Sequence, residues 1–119
     1  MTKSETNKLD KLWGLIVRAR AKDKCERCGI PGNNPHHFIG RRNKNVRWDT
    51  DNGFCLCYGC HSMRADSAHQ DGDLFSEWAK KKRGDKWHKD LRLRSNFTNK
   101  PDYKLLRIFL EKELKKYES

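Results

Sequence analysis

The chain has 119 residues, 34% hydrophobic and 36% charged, with a formal net charge of +11 and a pI near 9.7. That length and thin apolar fraction point to a single domain, 1–119, whose modest core a bound metal would help to fold. No stretch approaches the roughly 20 apolar residues that cross a bilayer, which excludes a membrane span, and the basic balance favours a polyanionic partner held with salt-sensitive affinity.

In chain order, residues 7–21 place Leu9, Leu12, Trp13 and Ile16 on one helical face with Lys8, Lys11 and Arg18 elsewhere. Asn7 is the expected cap of this N-terminal basic helix, within 1–22. Cys25 and Cys28 form a CxxC knuckle, followed by a turn-rich run through Gly29, Pro31, Gly32 and Pro35. Residues 36–39 and 46–48 then read as two short strands joined by a turn over 40–45, a hairpin that would carry His36 and His37. Past a turn at 49–51, Asn52 leads to a second CxxC, Cys57 and Cys60, and a short helix over 58–66.

The remaining part, 71–119, reads as helical. Asp71 or Asp73 can cap a helix bearing Leu74, Phe75, Trp78 and Ala79 that stops at Gly84, and Asp85 can start another carrying Trp87 and Leu91. Pro101 opens a final amphipathic helix with Tyr103, Leu106, Phe109, Leu110, Leu114 and Tyr117. That helix is open to two uses, as core or as an interface for a second copy or another protein partner.

Five cysteines make an odd count, arranged in CxxC pairs with no apolar export signal ahead of them. This pattern suits metal ligation in a reducing cytoplasm better than a disulfide framework. The thiolates of Cys25, Cys28, Cys57 and Cys60 match the tetrahedral preference of structural Zn2+, which would pin the ends of the 28 residues between the two knuckles. Cys55 is left over and reads as packing. Arg41, Arg42, Lys44 and Arg47 lie on or beside the expected hairpin, where their cations would bind nucleic-acid phosphates or simply be solvated. For the run 80–83 a solvated helix end is at least as good a reading as a DNA contact.

Two CxxC pairs, a His36-His37 doublet, Asn52 fifteen positions after His37 and His61 nine after Asn52 together resemble the HNH, or ββα-metal, endonucleases over 25–66. The stretch 38–54, FIGRRNKNVRWDTDNGF, and the following helices resemble, more loosely, small phage HNH proteins of the NinG-like recombination type. The resemblance implies an α+β fold, a small ββα-metal core stapled by the four-cysteine zinc site and flanked by N-terminal and C-terminal helices. It implies His37 as the base that activates water, His36 and His61 as ligands of one catalytic divalent metal, and Asn52 as a brace that aims His37. The implied activity is hydrolysis of DNA phosphodiester bonds with weak sequence specificity, by nicking or by cutting branched DNA in phage DNA processing, in the cytoplasm of a host cell. The alternative is a non-catalytic zinc-containing nucleic-acid-binding module.

The sequence departs from this pattern at one point. Colicin-type nucleases carry a further histidine one helical turn after the position of His61, where this chain has Ala65. Water and substrate phosphate are the expected completion of the metal shell, which favours Mg2+ or Mn2+ over Zn2+ or Ni2+; the other route is inward folding of His69 or Asp66. His69 and His88 otherwise read as surface or supporting residues.

Overall fold

The computed structural model describes residues 1–97 and 100–118. Helix α1, Lys3–Arg20, starts four residues before the expected cap. A capping box sets the start: Glu5 N–H donates to Thr2 Oγ1 at 3.1 Å and Thr2 N–H donates to Glu5 Oε1 at 2.8 Å, which satisfies two backbone donors that no helical carbonyl reaches. The chain leaves α1 through Lys22 and Asp23, both at φ 55, a left-handed turn that delivers Cys25 to the first knuckle.

Strand β1, Asn34–His37, pairs antiparallel with β2, Gly53–Leu56, with His36 opposite Phe54 and His37 opposite Gly53. This corrects the expected hairpin: 46–48 is not a strand, and 40–49 is a run of tight turns. Its polar residues explain the difference. Asn43 Oδ1 accepts from Asn45 N–H at 3.1 Å, and both amides donate to Ser95 O, so the loop bonds to itself and to a distant helix. Val46 and Trp48 are buried, but as loop anchors.

All four residues of β2 are buried, and the strand lies between two apolar clusters. Cys55 faces Leu9, Leu12, Trp13, Ile16 and Val17 of α1 with Trp48 and Leu110. Phe54 and Leu56 face the other way, onto Phe75, Ala79 and the cysteines. Alternation along a strand produces this division. After β2 comes one wide π-helical turn, Gly59–Met63, in place of the expected helix over 58–66.

Helix α2, Gly72–Arg83, is capped by Asp71, whose carboxylate accepts from Leu74 N–H, and ends at Gly84 with φ 94, as the sequence predicts. Helix α3, Asp85–Ser95, follows directly and packs on α2. Helix α4, Tyr103–Lys115, capped by Asp102, lies along α1. It buries Leu110 fully and Tyr103, Leu106 and Leu114 in part, while Leu105, Ile108 and Phe109 face solvent. Among the described residues no helix is long and apolar enough to cross a membrane.

Candidate functional site

The two knuckles bring Cys25, Cys28, Cys57 and Cys60 together with their four Sγ atoms all within 4.8 Å of one another. Cys28 Sγ and Cys57 Sγ are 3.6 Å apart, close to the edge of about 3.8 Å that a tetrahedron with 2.3 Å metal–sulfur bonds requires. Each knuckle turns its backbone N–H groups toward sulfur. Cys60 N–H, for instance, donates to Cys57 Sγ at 3.4 Å, while Gly29 at φ 85 closes the first turn. Burial opposes ionisation of Cys25, but hydrogen bonds from the backbone of Cys57, Cys28 and Arg27 outweigh it and bring that thiol down to about 7. Burial and then the neighbouring thiols push Cys60 up. Four thiolates this close repel one another, so full ionisation calls for a cation among them. The cluster therefore has the donors and dimensions of a structural metal site. Cys55 stands outside it, buried, with Sγ donating to Gly32 O at 3.3 Å.

A second cluster lies on the other side of the same turn. His36 comes from β1, His61 from the π-helical turn and His69 from the loop beyond, each offering a ring nitrogen within 4.8 Å of the others. Backbone bonds from Ala68 N–H to Cys60 O (2.9 Å) and from His69 N–H to His61 O (3.1 Å) lay that loop alongside the turn. The Nε2 atoms of His61 and His69 are 3.0 Å apart, a separation that suits a hydrogen-bonded pair or two ligands of one ion. Burial first, then the charges of His61 and His69, lower His36 to about 3, and burial lowers His61. Burial thus favours the neutral ring at both, the form that metal ligation requires. Of the two residues that could fold inward, His69 joins His36 and His61. Asp66 does not, being engaged with Arg27 and Arg64.

Adjacent strand residues point to opposite faces, so His37 turns from this cluster toward α1. Its ring stacks on Trp13 at 3.8 Å with planes 8° apart, and its Nε2 lies 2.8 Å from Arg47 O. A carbonyl only accepts, so Nε2 carries the proton of the neutral ring and Nδ1 keeps its lone pair. Burial lowers the pKa of His37 against the raising effect of that bond. Asn52, fully buried, spans the loop that supplies Arg47. Its Oδ1 accepts from Ile39 N–H at 2.7 Å, and its Nδ2 donates to Ile39 O (2.9 Å) and Val46 O (3.1 Å).

The four basic residues expected to meet phosphate have separate fates. Arg47 is bound internally: its side chain is 14% exposed and grips Asp10 through Nε (3.1 Å) and Nη2 (2.8 Å), while Trp48 Nε1 donates to the same carboxylate. Arg41 reaches Asp10 at 3.4 Å from the surface. Only Arg42 and Lys44 are exposed and without a carboxylate partner among the described residues. Arg83 is internal too, bonded to Glu26, Asp51 O and Gly53 O and lying 3.6 Å above the Phe54 ring.

His36, His37 and His69 share a cleft of about 670 Å3 that is also lined by Phe38, Ile39 and Phe75 and by Lys80, His88 and Arg92. Sequence reasoning read Lys80 as a solvated helix end or a DNA contact and His88 as a surface or supporting residue, and did not single out Arg92, because α2 and α3 present them from over forty residues beyond the doublet, where no local spacing signals a shared wall. Comparisons of the chain with family models, with curated proteins and with solved structures give no match.

Proposed function

We propose that the protein is a metal-dependent endonuclease of the HNH kind that hydrolyses DNA phosphodiester bonds, with structural zinc at Cys25, Cys28, Cys57 and Cys60. The observation that carries the reading is the meeting of the His36, His61 and His69 imidazoles within 4.8 Å, beside a cleft that His36, His37 and His69 line, with Asn52 holding the loop to which His37 is bonded. His36, His61 and His69 would hold one divalent ion, which when bound supplies positive charge for the phosphate and the departing oxygen. An all-imidazole set suits Zn2+ or Ni2+ best; Mn2+ and Mg2+ would depend more on water and phosphate oxygens to complete their shells.

His37 is the base. With Nε2–H fixed on Arg47 O, its Nδ1 lone pair takes a proton from the attacking water, and burial keeps the ring neutral and able to do so near pH 7. Asn52 acts through position: by tying residues 39 and 46 together it fixes the turn and hence the carbonyl that orients the ring. The net charge of +11 draws a polyanion to the site. The products expected from the HNH resemblance are a 3′-hydroxyl and a 5′-phosphate.

The test is cleavage of linear, nicked, single-stranded and four-way DNA by the purified protein with Mg2+, Mn2+, Ni2+ or Zn2+. His37→Ala should lower the rate about 10²- to 10⁴-fold, the usual contribution of a general base, with zinc content retained. The high positive charge would equally serve a non-catalytic zinc-containing nucleic-acid-binding module. A wild type that binds DNA but stays silent with all four metals would establish that reading instead.

A further inference from the structure

The walls of the cleft differ in kind. One side is formed by His36 and His69 with the neighbouring His37, whose ring stacks on Trp13; α2 and α3 present Lys80, His88 and Arg92. No carboxylate among the described residues lines it, in a chain with 16 acidic residues. The arginines held most closely by the fold are matched: Arg27, Arg47, Arg83 and Arg94 each bond an acid. Lys80 and Arg92 have no carboxylate within 4.0 Å among the described residues. Their charges fall on His88, whose pKa is lowered by burial and then by Lys80 and Arg92. A concave surface with two unmatched cations and no acid selects an anion. Its other lining, Phe38, Ile39, Ala68 and Phe75, is apolar and suits the sugar and base attached to a phosphate better than a bare inorganic ion.

We propose that Lys80 and Arg92 hold the phosphodiester of a DNA strand in this cleft, against the His36, His61 and His69 cluster, so that the phosphate grip lies on α2 and α3 rather than on the 40–47 loop. The proposal rests on the reading of the cleft as a nuclease centre, but binding tests it apart from cleavage. The two residues are positioning groups, and Arg42 and Lys44 give a charge-matched control outside the cleft.

The experiment measures affinity for a short phosphorothioate duplex, which keeps its charges and resists cutting, by fluorescence anisotropy across a salt series. The wild type, Lys80→Gln/Arg92→Gln and Arg42→Gln/Lys44→Gln are compared. The cleft double variant should bind at least tenfold more weakly, with the slope of log affinity against log salt reduced by about 2, one for each phosphate no longer neutralised. The control pair should change affinity less than about threefold, and the melting temperatures of all three should agree within a few degrees. On a cleavable duplex the cleft variant should raise KM more than it lowers kcat. Inorganic phosphate should compete no better than chloride at equal ionic strength. Equal slopes for the cleft and control variants, or displacement by micromolar phosphate, would overturn the proposal. A wild type that binds with the expected slopes but never cuts would remove the nuclease reading and leave the cleft's anion grip standing.

Discussion

Asn52→Ala removes three hydrogen bonds at once and strands the groups they satisfied. Val46 O is in a buried bond, where loss of its partner costs about 1–3 kcal/mol; the two bonds to Ile39 are partly buried and contribute about 0.5–1.5 kcal/mol each. The sum is about 2–6 kcal/mol, centred near about 4 kcal/mol. At about 3–5 °C per kcal/mol for a chain of this length, that central value should shift thermal unfolding, followed by circular dichroism, down by about 12–20 °C. Asn52→Asp sharpens the test. It keeps an acceptor for Ile39 N–H but sets a carboxylate oxygen against two carbonyl oxygens, so at pH 7 it should be at least as unstable as the alanine variant. Protonation of that carboxyl restores one donor, so the aspartate variant should regain stability relative to alanine as pH falls toward 4. A loss of under about 0.5 kcal/mol for Asn52→Ala, the range of ordinary surface substitutions, would refute the brace.

Chelation or Cys25→Ser should abolish tight binding of one zinc per chain and lower the unfolding midpoint by more than about 10 °C, whereas Cys55→Ser should keep the zinc; metal analysis with thermal melts reads both. Asp10 has its pKa lowered below 3.8 because bonds from Arg47 and Trp48 outweigh the burial that would raise it. Its stabilisation is therefore present above pH 3.8 and lost as pH falls through the lower folded value. Acid titration of the wild type should show this loss, and Asp10→Asn should be about 1–3 kcal/mol less stable at pH 7 with a flatter acid limb. Gly53→Ala would set a Cβ 2.8 Å from Trp13 Cζ2 and against Val17, and should cost about 1–3 kcal/mol in urea unfolding.

Features written in short-range spacing were legible in the sequence. The CxxC knuckles close four thiols into one cluster because two-residue gaps impose a local turn, and Asp71 and Gly84 mark the ends of α2 through their own side chain and backbone. Long-range pairing was less accessible. Alternation of Val46 and Trp48 imitates a strand, while the true partner of β1 is Gly53–Leu56, whose fully buried run shows no alternation at all. The fate of Arg47 depends on Asp10, 37 residues earlier, and Arg47 carries no local mark of it. His69 sits eight residues beyond His61, a spacing that makes two residues neighbours only when a loop folds back, as the backbone bonds of Ala68 and His69 make it do. The Thr2 and Glu5 capping box was readable in the sequence but lay ahead of the first apolar residue that draws the eye.

Anomalous diffraction from crystals soaked in Mn2+, recorded at the manganese and zinc edges, bears most directly on the proposed metal centre. The account predicts zinc among the four cysteine sulfurs and manganese bonded to nitrogens of His36, His61 and His69. Zinc alone, with those three rings turned apart and no second ion in the cleft, would contradict it.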